Sequence, residues 1–197
     1  MATIDSGLQI GCTDLQAVGG IRQILLTNLG NIASVAPTSL NSAHSLTSIV
    51  GTNPWARFEF KNETAAMTIN GTKEGGSTAY EVGINFYLPN IEGAKFHELT
   101  NLQDSCIVGL VEFNSGKMLV VGFSYKYESQ GVSGTPWTRN QTYANLTTIE
   151  GGSGSAYADD NGVTVSLMAR QFELPLEYIP SGTGITVQSG DVTAITD

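Results

Sequence analysis

The chain has 197 residues, with nine Lys and Arg against eighteen Asp and Glu, a formal net charge of -9, 23 glycines and only 14% charged residues. That length suits a single domain whose core buries roughly 70% of the unfolded surface. Acidity without a Lys/Arg cluster argues against wrapping nucleic acid or adhering to an anionic membrane, and no apolar run approaches the roughly 18 residues of a spanning helix.

The composition, rich in Gly, Thr, Ser and Asn, favours short strands joined by turns. Met1 to Thr13 lacks both the basic stretch and the apolar run of a signal peptide, which predicts synthesis in a cytoplasm. In that setting Cys12 and Cys106 are expected as two reduced thiols.

The first strand is predicted over Ile21 to Asn28 (IRQILLTN), introduced by Gly19-Gly20 and closed by Asn28, Gly30 and Asn31. Ala33 to Ser48 shows little periodicity and reads as an exposed loop or arm, part of a long loop over 33–54. From Trp55 the period becomes two. Phe58 and Phe60 alternate with Arg57, Glu59 and Lys61, and Val82, Ile84, Phe86 and Leu88 alternate with Glu81, Gly83, Asn85 and Tyr87. Met67 and Ile69 mark a short strand between these two, and Asn70 to Gly76 supplies residues for a hairpin connection.

One short amphipathic helix follows Pro89-Asn90, with Asn90 as cap and Phe96, Leu99, Leu102 and Gln103 on one stripe. Cys106 to Phe113 and Lys117 to Tyr127 then form a hairpin around Asn114-Ser115-Gly116, placing Leu119, Val121, Phe123 and Tyr125 on one face. Gln130 to Arg139 reads as a turn-rich loop, Tyr143 to Ile149 as a strand, and Glu150 to Ala156 as a flexible tip. The final core strand carries Val163, Val165, Leu167 and Ala169, then Phe172 and Leu174. Beyond Pro175 the β-like Ile185-Thr186-Val187 has little to bury, so 176–197 is expected as an arm that needs a neighbour. The fold class is therefore all-β with one short helix, in one domain over 1–197 with extended segments at 1–20, 33–54, 128–158 and 176–197.

Chemistry-bearing motifs are sparse. Gly151 to Ser155 and Gly131 to Thr135 lack the last glycine of a nucleophile elbow and the Lys-Ser/Thr pair of a phosphate loop. His44 and His97 have no partner at metal-ligand spacing. Asp159-Asp160-Asn161-Gly162 resembles the turn of a calcium loop but lacks its closing glutamate, so a turn is expected. Nothing brings Glu81 and Glu112 together as an acid and base pair. Tyr125, Tyr127, Trp137 and Tyr143 suit core and subunit contacts, or stacking on a sugar. No enzyme activity, cofactor or metal is expected.

Cys12-Thr13-Asp14 followed by Gly19 to Asn28 resembles the opening of tail tube proteins of tailed bacteriophages. Asn70 to Glu81, Val111 to Gly122 and Ala158 to Leu174 resemble the same family in the same order. The resemblance implies two packed antiparallel sheets plus a helix, a sandwich or barrel of tail-tube type, whose subunits form stacked, commonly hexameric, rings as a conduit for DNA ejection. The partners would be further copies of the chain and other tail proteins, and the location the virion. Acidic walls let DNA pass by repulsion. On this reading Glu81, Gly83 and Asn85 face the lumen, and Ile185, Val187 and Trp137 make subunit contacts. Two alternatives are a capsid decoration or neck protein and a carbohydrate-binding module of a tail fibre.

Overall fold

The computed structural model describes residues 19–37, 44–74, 77–124, 142–155, 160–180 and 185. Among the described residues the fold is all-β with one α-helix, as the alternating sequence predicts. Its elements are β1 (Ile21–Asn28), β2 (Ile32–Pro37), β3 (Ser45–Gly51), β4 (Ala56–Phe58), β5 (Ala66–Glu74), β6 (Ser77–Pro89), α1 (Gly93–Gln103), β7 (Ile107–Phe113), β8 (Met118–Val121), β9 (Ala144–Gly152), β10 (Gly162–Gln171) and β11 (Leu176–Tyr178).

The strands share one hydrogen-bonded network in the order β2-β3-β11-β8-β7-β9-β10-β6-β5, with β1 pairing β7 and β4. Every pairing is antiparallel except β3 with β11. The network divides into two parts. β9, β10, β6 and β5 form one, the remaining strands form the other, and the single register pair Ile107↔Ala144 joins them.

This division follows from β1 and β7, whose apolar runs bury both faces. Ile24, Leu26, Ile107 and Val111 enter a first core with Val82, Ile84 and Phe86 of β6, Val163, Val165 and Leu167 of β10, and Leu99 and Leu102 of α1. Leu25, Val108 and Leu110 point the other way, into a second core with Ile32, Val35, Leu46, Ile49, Trp55 and Val120. A three-residue 3-10 turn, Leu29–Asn31, carries the chain from β1 to β2. Because β2 nevertheless lies at the far end of the strand order, the sheet curls back on itself around the second core.

Several expectations are corrected. The stretch read as a loop over 33–54 holds β2 and β3, whose Ser, Thr and Ala residues mask an inward set of Ile32, Val35, Leu46 and Ile49. The arm expected over 176–197 begins with a core strand, since β11 lies between β3 and β8 with Leu176 and Tyr178 buried. Ile185, expected at a subunit contact, is 2% exposed inside the chain's own second core. Within 128–158, β9 extends through Glu150 to Gly152.

Other differences are local. Asn90 has φ 66° and its side chain bonds the Glu92 carboxylate, so Glu92 takes the N-cap position without a side-chain bond to the helix. Phe96 and Gln103 are exposed, leaving Leu99 and Leu102 as the buried helix residues. Gly122, at φ 82°, breaks the alternation after β8: Val121 enters the first core and Phe123 the second. Phe172 and Leu174 are exposed, because the alternation of β10 continues through Ala169 to bury Gln171 and Glu173 instead. Gln171 Nε2 donates to the Phe123 carbonyl at 2.9 Å, and Ser124 Oγ donates to Glu173 Oε1 at 2.6 Å. These bonds lower the cost of burying both polar groups.

Two substitutions test this architecture. A Cβ on Gly122 would sit 2.6 Å from the Ile107 carbonyl oxygen and 2.8 Å from the Ala144 nitrogen, at the junction of the two parts. Gly122→Ala is expected to cost at least about 2 kcal/mol in chemical denaturation, combining left-handed backbone strain with the clash. Ile185→Ala is expected to cost about 2–4 kcal/mol in the same measurement, as for a core truncation; an unchanged midpoint would remove Ile185 from the core.

Candidate functional site: the outer face of the four-stranded sheet

The inner face of β9-β10-β6-β5 is fixed by the first core, so strand alternation assigns the opposite residues to the outer face. Register pairs define its rows. Asn70, Glu81 and Arg170 lie abreast, then Thr68, Gly83, Met168 and Asn145, then Asn85, Ser166 and Thr148, and finally Tyr87, Thr164 and Glu150. Hydroxyls and amides dominate. The charges in these rows are Glu81, Glu150 and Arg170, with Glu81 and Arg170 directly opposite each other.

Glu81, Gly83 and Asn85, singled out from the sequence, do share this face. Glu81 is exposed and Asn85 half-buried. Gly83 is buried and offers only backbone, since a Cβ there would lie 2.8 Å from Thr68 Oγ1. At the Tyr87 end, Lys61 Nζ stands 5.9 Å from the ring centroid and 3.1 Å from Asp160 Oδ1. The reading from sequence did not name Thr68, Thr164, Ser166 or Arg170. The same period-two pattern in Gly162 to Gln171 that marks the core also marks the outward set.

The edges of the network differ in character. β2 has two register shifts and ends at Pro37, and β4 has only three residues. Both are poor templates for a further strand. β5 has nine residues in unbroken register with β6 and no strand on its outer side among the described residues. It contains no proline, and Ile69, on the core side, is 44% exposed. Beyond Ala144, the outer side of β9 also lacks a strand partner among the described residues.

The two carboxylates weighed as an acid and base pair, Glu81 and Glu112, lie on different strands, β6 and β7. Glu112 is buried on β7, where Arg22 donates to it at 2.9 Å and Gln23 Nε2 bonds its other oxygen, whereas Glu81 lies exposed on β6. This network neutralises a carboxylate at the start of β1. His44 contacts the Leu174 carbonyl at 2.5 Å, and His97 lies exposed on α1. Among the described residues no group of three or more His, Cys, Asp and Glu side chains converges.

An open cavity of about 160 Å³ lies between α1, β1 and β4, with Leu26, Phe58 and Leu102 on its apolar side and Asn28, Glu98 and Asn101 among its polar residues. Cys106 is half-buried against the second core. Cys12, Trp137, Val187, Tyr125, Tyr127, Asp159 and the Gly131 to Thr135 stretch lie outside the described residues.

Comparison of the chain with protein-family models, curated proteins and solved structures finds no match.

The close approach of Gly83 and Thr68 is testable by a mutant cycle. Gly83→Ala alone is expected to lower stability by about 1 kcal/mol, and adding Thr68→Ala, which removes the obstructing hydroxyl, to recover most of that loss. Additive costs in thermal unfolding would show that Thr68 does not restrict this position.

Proposed function

We propose that this chain is a virion structural protein, a tail tube subunit of a tailed bacteriophage, which assembles into stacked rings that conduct DNA. The observation that carries the reading is the outer face of β9-β10-β6-β5, where Glu81, Asn85, Thr68, Asn70, Thr164, Ser166 and Arg170 lie in register over an apolar inner face. A lumen wall must be wetted and must not hold the polyanion that passes along it. Hydroxyls and amides with few charges meet the first requirement, and a chain of net charge -9 meets the second.

The edges support assembly as well. With β2 and β4 blunted, β5 and β9 are the two sides of this sheet on which a neighbouring copy can extend the ladder. Such a contact is head-to-tail, and a head-to-tail contact generates a ring when its rotation closes. Glu81 and Asn85 then face the lumen, with Gly83 between them as bare backbone. Ile185 is assigned to the monomer core instead, and contacts between copies fall to the strand edges.

Negative-stain electron microscopy of the purified chain is expected to show rings or tubes with an open centre. In the assembled particle, a Glu81→Lys and Asn85→Lys double variant is expected to retain duplex DNA, with an affinity that falls as salt rises. Monomers that never associate at high concentration, or a reconstruction with Glu81 and Asn85 on the outer wall, would overturn the assignment. Discrete non-stacking trimers would favour the decoration or neck reading.

A further inference from the structure

The sequence contains two Asn-Gly dipeptides, Asn70-Gly71 and Asn161-Gly162. In this dipeptide the glycine nitrogen reaches the asparagine side-chain carbonyl with least obstruction, since no Cβ stands in its way. The reaction nonetheless requires the intervening peptide to rotate out of its strand geometry, so the fold decides which of the two reacts.

The two sites are held very differently. Gly162 is buried and paired on both sides, to Pro89 of β6 and Gly152 of β9. Space for even a Cβ is lacking there, since the Tyr87 hydroxyl and the Leu88 carbonyl oxygen crowd that position. The Asn161 carbonyl is also tied down, accepting from the Asn90 nitrogen at 2.7 Å. Asn70 and Gly71 are both exposed, on a strand that pairs only with β6 among the described residues. Opening this edge breaks one ladder, where opening at Gly162 breaks two and disturbs a packed site.

We propose that Asn70 is a site of spontaneous deamidation, through which the outer face of the sheet gains a carboxylate as the protein ages. The Gly71 nitrogen attacks the Asn70 side-chain carbonyl carbon, a C–N bond forms, and the amide nitrogen leaves as ammonia with the proton lost by Gly71. Water then opens the succinimide at either carbonyl, giving aspartate or isoaspartate. The aspartate lies directly across from Glu81, so two like charges face each other where an amide and a carboxylate stood before. Isoaspartate lengthens the backbone by one methylene and displaces Gly71 to Glu74 from their partners Tyr80 to Ser77. The site belongs to the unassembled chain, in which β5 pairs only with β6 among the described residues; a neighbouring copy added to β5 in a ring would protect this edge.

Peptide mapping by mass spectrometry tests this on the full native chain, kept dilute enough to sediment as a monomer, in mildly alkaline buffer at body temperature, with the same chain unfolded in denaturant as control. The expected result is loss of the unmodified Asn70 peptide, with the mass gain of amide-to-acid conversion, while the Asn161 peptide persists. Both peptides should convert in the unfolded control. Asn70→Gln should abolish the acidic species on isoelectric focusing, and Asn70→Asp should co-migrate with it. Equal persistence of both peptides in the native chain, or earlier conversion of Asn161, would overturn the proposal.

Discussion

Two strands with apolar side chains on both faces hold this fold together. Ile24, Leu25 and Leu26 of β1 alternate between the first and second cores, and Ile107, Val108, Leu110 and Val111 of β7 do the same. Gly109 lets the layers meet closely, since a Cβ there would lie 3.3 Å from a Leu26 methyl and 3.5 Å from Ile84. A truncation in β1 or β7 therefore acts on the structure differently from one in β10, whose inward residues serve only the first core. Interiors packed at this density transmit such changes to their neighbours.

The same arrangement frees the outer face of β9-β10-β6-β5. The first core anchors that sheet through residues that include Val82, Ile84, Phe86, Val163, Val165 and Leu167, and its other side carries hydroxyls, amides and a few charges. Two requirements are thereby separated within each strand. Even-numbered residues of β6 supply stability, and odd-numbered residues such as Glu81 and Asn85 are left to interact with whatever the face meets.

Much of the first core was legible from alternation, because β6 and β10 each have one apolar and one polar face. β1 and β7 were recognisable as strands from their unbroken apolar runs, but a run buried on both faces does not say which residue meets which core. The second core was largely hidden. β2 and β3 carry their inward residues among Ser, Thr and Ala, and β11 has three residues whose partners lie far away in sequence, at Ser45–Leu46 and Met118–Val120. Phe172 and Leu174 looked like a continuation of the core, whereas the backbone period set by Ala169 placed Gln171 and Glu173 inside. Hydrophobicity and period disagreed there, and hydrogen bonds to Phe123 and Ser124 allowed the period to prevail. The outer face was legible on β6, while its extension onto β5 and β10 depended on a strand register that one sequence does not reveal.

The parallel pairing of β3 with β11 bears on how the chain reaches its native state during synthesis. β3 and β8 emerge from the ribosome long before β11, which fills the place between them. Until Leu176 to Tyr178 arrive, Leu46 and Val120 belong to an unclosed core with two unpaired strand edges. Contacts of such long sequence separation form slowly, because loop-closure entropy is lost before the pairing compensates for it, so closure of the second core waits on the synthesis of β11.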